Sequence, residues 1–418
     1  MLGASVDSFS SWIFSFLSSF LLEMDKIKIP FPMIIPRFYI TEGRITQFVG
    51  FGARILDFFG DRIEYLFGPR VWLVVVRIVV GLPFLYAIPA PYWCKKESVV
   101  ISGVDCLLYT PISSLKKSDG LLVFIHGGGW CFGKPQHFES IFFSLVNKLG
   151  IQILAIDYKL APEKVFPFQL DECEKVVKSV HDEDFDFLPI DKSKIVLMGD
   201  SAGGNLAAVT AQRLLRQGLS HYIACQVLIY PITNLTDFQT PSYQYYERKY
   251  RSTAIIQPRI FVTLMMFYLG IYPKWGRSVD VLLNKHISRD VKKLEFYQKT
   301  VDHKLIPPEF RRGDFYDHPE HPEPNPELVE EFEPFILNPE VNPLLAKDLE
   351  GLPEALIATC GFDILRDDGV LYVKKLESHG VPVQWKHYNA VHGILAVPVS
   401  KHRRVMMADL VAFLKNKI

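Results

Sequence analysis

The sequence predicts an α/β fold, in which a mostly parallel central sheet is covered by helices on both faces. From about residue 97, short β-branched runs bounded by Gly, Pro or Asp alternate with segments of helical periodicity, and this alternation is typical of parallel sheets. The alternation stops between residues 237 and 350, which indicates an insertion. A chain of 418 residues with 49% hydrophobic content is large enough to bury such a core.

The expected strands and helices follow one another in order along the chain. The first two strands form a hairpin over residues 98–104 and 105–111. Six further strands are expected at 121–127, 152–158, 194–200, 224–230, 354–360 and 381–387. Helices are expected near 137–149, 168–182, 201–217, 366–379 and 402–416. This order places helices on both faces of the sheet.

Residues 237–350 differ in composition from the rest of the sheet domain. They are rich in aromatic side chains and then in proline and acidic residues, as in HPEHPEPNPELVEEFEP. We interpret the segment as a helical cap over the carboxyl-terminal edge of the sheet, with the acidic stretch as an exposed linker. The sheet domain is therefore expected to span residues 96–418. Residues 1–95 form a separate segment that is expected to attach to a membrane and to contribute to the cap.

Two apolar runs in this N-terminal segment indicate membrane association. Residues 12–22, WIFSFLSSFLL, are short, and their serines favour a tilted or interfacial amphipathic helix. Residues 71–90 are longer and carry Arg77 at mid-span. If they span a bilayer, the basic residues before them predict a cytosolic N-terminus and a lumenal sheet domain. A buried helix or a hydrophobic flap is the alternative, and the sequence leaves open which run attaches the protein.

The charge balance excludes several classes of partner. Lys plus Arg and Asp plus Glu are both 46, so neither nucleic-acid binding nor steering of a highly charged substrate is expected. The six cysteines form no CxxC pair, and neither a metal nor a cofactor is expected. A single sequon at Asn234 is a candidate glycosylation site if its loop faces a secretory lumen. Composition does not indicate an oligomeric state.

The strongest motif is Gly199-Asp200-Ser201-Ala202-Gly203, which follows the apolar run KIVLM and opens a helical pattern. A G-x-S-x-G sequence between a strand and a helix is the nucleophile elbow of the α/β-hydrolase fold. The glycines leave room for a sharp turn that holds the serine in a strained conformation. Ser201 is therefore the expected nucleophile.

A second motif, His126-Gly127-Gly128-Gly129, ends the strand at 121–127. Glycines allow backbone amides to approach a ligand closely, so we expect the amides of Gly127, Gly128 and Ala202 to form an oxyanion hole. A phosphate-binding loop is the alternative, but neither GK[ST] nor the G-x-G-x-x-G spacing is present. His126 is expected to support the loop rather than to act as a base.

The base and its orienting acid are expected downstream of Ser201, in the order acid and then histidine. His392 lies in a short loop after the last strand, and Asp363 directly follows the strand at 354–360. His387 lies within or at the end of a strand, where a structural role is expected. Asp367 and Asp368 stand in the first turn of a helix, where acidic residues stabilise the helix dipole.

Taken together, the motifs resemble those of the hormone-sensitive-lipase group, and most closely those of the arylacetamide deacetylase and neutral cholesterol ester hydrolase family. They are HGGGWC (126–131), YKLAPE (158–163), FPFQLDE (166–172), GDSAGGNLAA (199–208), DILRDDG (363–369) and the VHG around His392. The resemblance implies a membrane-anchored enzyme of the endoplasmic reticulum with a lumenal catalytic domain. It also implies a disulfide between Cys131 and Cys360, with two free buried thiols as the alternative.

Three functions are compatible with these residues. The first is a carboxylesterase or lipase-like enzyme acting on small apolar esters, with membrane lipid as a second partner. The second is an amide deacetylase or transacylase, because the same three side chains serve both reactions. The third is a non-catalytic receptor that keeps the fold. The presence of His392 argues against it, because such receptors lose the catalytic histidine.

Overall fold

The computed structural model describes residues 64–81, 89–250, 256–274, 276–314, 316–317, 322–397 and 400–418. They belong to one compact unit that covers residues 38–418. The apolar run at 12–22 lies outside the described residues, as do residues 82–88 of the second run.

Eight strands form one sheet. They are β1 (Cys94–Ile101), β2 (Val104–Pro111), β3 (Leu121–Ile125), β4 (Gln152–Ile156), β5 (Ile195–Asp200), β6 (Cys225–Ile229), β7 (Ala355–Phe362) and β8 (Val383–Val391). Their order is β1-β2-β4-β3-β5-β6-β7-β8. β2 pairs antiparallel with β1 and β4, and every other neighbouring pair is parallel. The predicted mostly parallel α/β sheet is therefore confirmed.

Helices cover both faces of this sheet. They are α1 (Pro69–Gly81), α2 (Glu139–Leu149), α3 (Phe168–Asp182), α4 (Ala202–Arg216), α5 (Pro241–Tyr245), α6 (Pro258–Leu269), α7 (Arg277–Leu282), α8 (Arg289–Lys293), α9 (Glu295–Thr300), α10 (Pro326–Ile336), α11 (Arg366–Ser378) and α12 (Lys401–Leu414). α2 and α12 contribute to the apolar cluster on one face, and α3, α4 and α11 contribute to the cluster on the other.

The central strands alternate between these two clusters. Val123 and Ile125 belong to one, whereas Leu122 and Phe124 belong to the other. All of these side chains are buried, and each contributes roughly 1.5–3 kcal/mol through loss of apolar surface. Strands buried on both faces are what a parallel sheet requires.

Two strand ends differ from the sequence expectation. β3 ends at Ile125, two residues early, because the amide of Gly127 donates to the Asp200 side chain at 2.7 Å. β8 continues to Val391, which still pairs with Phe362 of β7 across a register shift. Both differences lie at the edge of the sheet where the candidate catalytic residues stand.

The segment between β6 and β7 contains α5 to α10, and no strand is present among its described residues. It contacts loops that follow the strands. Leu264 of α6 lies so close to Gly129 that a Cβ there would be 2.6 Å from its Cδ1. The amide of Ser242 donates to Asp367 at 2.6 Å. The insertion therefore packs at the carboxyl ends of the strands.

Helix α1 is attached to the sheet domain by one buried side and one arginine. Trp72 and Leu73 are buried. Arg77 donates to the carbonyl oxygens of Cys131 and Ala161, both at 2.7 Å, and forms a bidentate pair with Glu163. No helix in the described ranges is both long enough and apolar enough to cross a bilayer.

Candidate active site

Ser201 stands at the sharp turn between β5 and α4, with φ +53° and ψ −120°. This strained conformation is enforced by close backbone packing. A Cβ at Gly199 would lie 2.1 Å from the carbonyl oxygen of Gly203, and one at Gly203 would lie 2.1 Å from that of Ile125. Only glycine fits at either position, so the turn directs the serine to the tip of the strand.

The three predicted side chains form one hydrogen-bonded chain. The hydroxyl of Ser201 lies 3.0 Å from Nε2 of His392, and Nδ1 of His392 lies 2.7 Å from Oδ2 of Asp363. The other carboxylate oxygen of Asp363 accepts the Leu365 amide at 2.9 Å. All three side chains are buried. In this arrangement the imidazole can accept the serine proton while the carboxylate fixes its orientation.

The convergence of these residues follows from the sheet topology. Ser201 follows β5, the loop with Asp363 follows β7, and His392 follows β8. These strands are parallel, so their carboxyl ends share one edge. Side chains 191 and 29 residues apart in the chain are thereby brought into contact.

The predicted assignment of Gly127 to the oxyanion hole is wrong. Its amide already donates to Oδ1 of Asp200 at 2.7 Å, so it is occupied within the protein. In the described part of the chain, the amides of Gly128, Gly129 and Ala202 have no protein acceptor. These three amides are the ones that remain for an oxyanion.

The side chain of Asp200 anchors the glycine loop. Burial raises the pKa of its carboxyl group to about 7, although the bond from the Gly127 amide works in the opposite direction. A Cβ at Gly127 would lie 2.7 Å from the Asp200 carboxylate. Glycine is therefore required at position 127 for this contact, whereas the backbone amides of Gly128 and Gly129 remain available to a ligand.

His126 supports the same loop and is not placed to act as a base. Its Nδ1 lies 2.8 Å from the carbonyl oxygen of Gly127, and its ring stacks on Tyr158 at 4.2 Å. Burial lowers the pKa of His126 to about 4, so the imidazole is neutral near pH 7. These contacts agree with the expected role of His126 in supporting the loop.

The alternative acid and base candidates have other partners. His387 contacts the Thr359 hydroxyl at 2.9 Å. Asp367 accepts the amide of Ser242, and Asp368 accepts the amides of Thr233 and Asn234, each at 3.1 Å. Asp367 therefore ties the insertion to the start of α11, and Asp368 ties the loop after β6 to it, beyond the helix-dipole role expected for them.

The disulfide between Cys131 and Cys360 is not formed. Both thiols are free and buried, and burial raises both pKa values. Cys131 belongs to the apolar cluster on one face of the sheet, and Cys360 points from β7 into the cluster on the other face. The sheet separates the two sulfur atoms.

Glycosylation of Asn234 is also contradicted. The residue is 0% exposed. Its side-chain oxygen accepts the amide and the hydroxyl of Thr236 at 3.0 and 2.7 Å. The nitrogen that would carry a glycan is buried as well. The asparagine stabilises a turn inside the protein and is not accessible for modification in the folded chain.

Arg77 is a site residue that sequence reasoning missed. It holds the carbonyl of Cys131, two residues beyond Gly129, and so fixes the far end of the glycine loop. Trp130, between them, has φ +59° and stacks on Tyr268 of α6 at 4.3 Å. A lone arginine inside an apolar run needs a partner, and that signal was available in the sequence.

A strained serine, a histidine, an acid and unpaired amides at the edge of a parallel sheet define a serine hydrolase of the α/β class. A family model described as alpha/beta hydrolase fold matches residues 122–295 and 329–396. Arylacetamide deacetylase of Bos taurus is 34% identical over 314 residues, covering 73% of this chain and 75% of that protein. Neutral cholesterol ester hydrolase 1 of Mus musculus is 31% identical over 293 residues, covering 68% and 69%.

Among solved structures, an esterase of Pyrobaculum calidifontis aligns with a TM-score of 0.59 and 25% identity, covering 82% of this chain and 92% of that one. The chain belongs to the arylacetamide deacetylase and neutral cholesterol ester hydrolase family of α/β-hydrolases. It is a carboxylic ester hydrolase.

Proposed function

We propose that the protein hydrolyses esters with an apolar acyl or alcohol part through an acyl-enzyme on Ser201. The observation that carries this proposal is the chain of contacts from Ser201 through His392 to Asp363, at 3.0 and 2.7 Å. Nε2 of His392 takes the hydroxyl proton as Oγ attacks the ester carbonyl. The imidazolium then returns that proton to the leaving alcohol.

The second half of the reaction releases the acid. Water attacks the acyl carbonyl, His392 accepts its proton, and Ser201 recovers that proton as the acyl bond breaks. In both halves the negative oxygen of the tetrahedral intermediate is stabilised by the amides of Gly128, Gly129 and Ala202. The carboxylate of Asp363 stabilises the imidazolium.

The walls next to these amides are apolar, which supports an apolar substrate. Leu264 lies against Gly129, and Trp130 and Tyr268 stack behind the loop. Ten of the twelve residues of α6 are buried, and most of these are aliphatic or aromatic. A substrate that enters here exchanges water for apolar contacts.

A panel of p-nitrophenyl esters from acetate to decanoate tests this proposal, because only the acyl chain varies. Each buried methylene contributes about 0.8 kcal/mol, or roughly a fourfold change in binding. We expect kcat/KM to rise more than tenfold between acetate and the best ester, and Ser201→Ala to be inactive throughout. An unchanged kcat/KM along the series would contradict an apolar acyl pocket.

Amide hydrolysis is a second candidate, favoured by the similarity to arylacetamide deacetylase. Phenyl acetate and acetanilide share the acetyl group and the ring, and they differ only in the leaving atom. We expect kcat/KM for the ester to exceed that for the amide by more than tenfold. Equal values would make amide deacetylation the main activity.

We also propose that the protein attaches to a lipid bilayer through α1, together with the run at 12–22. One side of α1 is buried, whereas the other side and the turn before it expose Tyr65, Leu66, Phe67, Val71, Val74 and Ile78. Exposed apolar clusters of this kind mark interaction surfaces. The family resemblance supports attachment to the endoplasmic reticulum with the catalytic domain in the lumen.

Vesicle flotation of the full chain tests the attachment with a matched pair of variants. Val74 on α1 is 53% exposed and Val405 on α12 is 55% exposed. We expect Val74→Glu to reduce the floating fraction at least twofold and Val405→Glu to leave it unchanged. Equal behaviour of the two variants would exclude this face. Protease protection in intact microsomes, lost on adding detergent, tests the lumenal location.

A further inference from the structure

The insertion contains a cleft of about 400 Å³. Ser201, Asp363 and His392 are not among the residues that line it. Its chemistry comes from Asp237, Lys292, Tyr297, Val301, His303 and Arg311. A cleft of this size accommodates a small organic molecule.

Both oxygen atoms of the Asp237 carboxylate, which lines the cleft, have partners within the protein. Oδ1 of Asp237 accepts the amide of Gln239 at 2.9 Å and the side-chain nitrogen of Asn284 at 2.7 Å. Oδ2 lies 2.7 Å from Nε2 of His303, whose Nδ1 contacts the Tyr316 hydroxyl at 2.8 Å. Among the described residues, His303 is the one cationic side chain within ion-pair distance of Asp237.

Lys292 and Arg311, two of the cations at this cleft, form no ion pair within the described part of the chain. Nζ of Lys292 is buried and makes neither a hydrogen bond nor an ion pair within the described part of the chain. Arg311 uses Nε for the carbonyl of Ile306 at 2.8 Å, and its guanidinium likewise pairs with no described carboxylate. Buried ammonium groups are ordinarily paired, because leaving one unpaired is costly.

The charge of the cleft favours an organic anion. Lys292, Lys304 and Arg311 are cationic, and Asp237 and Asp302 are anionic, which leaves an excess of positive charge that grows when His303 carries a proton. An anion compensates this excess, and one with an apolar body gains contacts that inorganic phosphate does not make. Val301 and the ring of Tyr297 add apolar surface beside the cations.

We propose that this cleft binds a small organic carboxylate. The head group pairs with Nζ of Lys292 and with the guanidinium of Arg311, and the apolar body lies against Val301 and Tyr297. Binding is reversible and involves no covalent step. It does not depend on ester hydrolysis, so loss of the catalytic activity leaves this proposal standing.

Calorimetric titration with hexanoate tests the site in the full chain carrying Ser201→Ala. We expect saturable binding that Lys292→Met weakens at least tenfold. Lys293→Met is the matched control, because the neighbouring lysine is exposed and pairs with Asp290; it should leave the affinity unchanged. Hexanamide, which keeps the shape without the charge, should bind at least tenfold more weakly.

Thermal unfolding distinguishes a lost site from a damaged fold. Removing an unpaired buried ammonium should raise the Tm of Lys292→Met without ligand, while the rise in Tm that hexanoate causes in the parent should disappear. The proposal is overturned if hexanoate does not saturate, if Lys292→Met and Lys293→Met bind alike, or if inorganic phosphate binds as tightly as hexanoate.

Discussion

Two hydrogen-bonded series, each made of a hydroxyl, an imidazole and a carboxylate, occur among the described residues with nearly the same spacing. We call them the catalytic chain and the second chain. Ser201, His392 and Asp363 are joined by contacts of 3.0 and 2.7 Å, and Tyr316, His303 and Asp237 by contacts of 2.8 and 2.7 Å. Their surroundings differ. Ser201 stands on a strained elbow beside amides that have no acceptor, whereas burial raises the pKa of Tyr316 to about 12. Contact distances alone therefore do not identify a catalytic group.

The two hydroxyl groups give the largest expected difference between the two chains. Ser201→Ala should lower kcat for p-nitrophenyl butyrate by about a million-fold, because the covalent intermediate is lost. Tyr316→Phe removes the corresponding hydroxyl and should leave kcat within about twofold, since surface and structural changes remote from the chemistry are mild. Comparable losses in both variants would mean that the second chain takes part in the reaction.

The two carboxylates provide the next comparison. Asp363→Asn should lower kcat by about 10⁴-fold, because the imidazole is then held in the wrong tautomer. Asp237→Asn leaves the charge of His303 unpaired and should lower the Tm without changing kcat. Steady-state kinetics and thermal unfolding of both variants separate the roles. A large fall in kcat for Asp237→Asn at unchanged Tm would contradict the assignment.

The unpaired amides beside Ser201 can be tested at Gly128. A Cβ there would lie 1.9 Å from the carbonyl oxygen of Phe132, at φ +118°. Gly128→Ala should displace the loop and lower kcat by about 100- to 1000-fold, the usual effect of a lost oxyanion donor. Gly103→Ala is the control, because it has φ +82° and open space around it. It should cost stability and leave kcat unchanged.

The catalytic chain could be predicted because its residues stand where strands end. Parallel strands bring their carboxyl ends to one edge, so Ser201, Asp363 and His392 were found from strand order and motif. The assignment of Gly127 was wrong because the acceptor of its amide is the Asp200 side chain. The sequence shows that a carboxylate is present but not which amide donates a hydrogen bond to it.

The other errors share a physical origin in side-chain direction and burial. The side chain of Cys360 points from β7 toward the face of the sheet opposite to Cys131. A shift of one residue in the strand register would reverse that direction. The sequon at Asn234 carries no information on burial. The chain of Asp237, His303 and Tyr316 lies in an insertion without regular periodicity, so no strand order relates its members.

The smallest expected effect concerns the charge of His303. Burial disfavours its imidazolium, but the Asp237 carboxylate outweighs this and raises the pKa of His303 above the ordinary 6.5, with Asp367 and Asp302 adding to the effect. A raised pKa means that the folded state holds the proton more tightly than the unfolded chain. The resulting stability is fully present below pH 6.5 and is lost as the pH rises through the higher folded value.

Thermal unfolding of the parent and of His303→Gln between pH 5 and pH 9 measures this contribution. The parent should have the higher Tm at low pH, by roughly 2–4 °C, and the difference should shrink above about pH 6.5. His402→Gln, on α12 at the far end of the chain, controls for a general effect of losing a histidine. A difference that is constant across this range would show that the pKa of His303 is the same in the folded and the unfolded protein, and a difference that grows with pH would show that His303 is neutral in the folded protein. The second chain would then be joined by neutral hydrogen bonds to a carboxylate rather than by an ion pair.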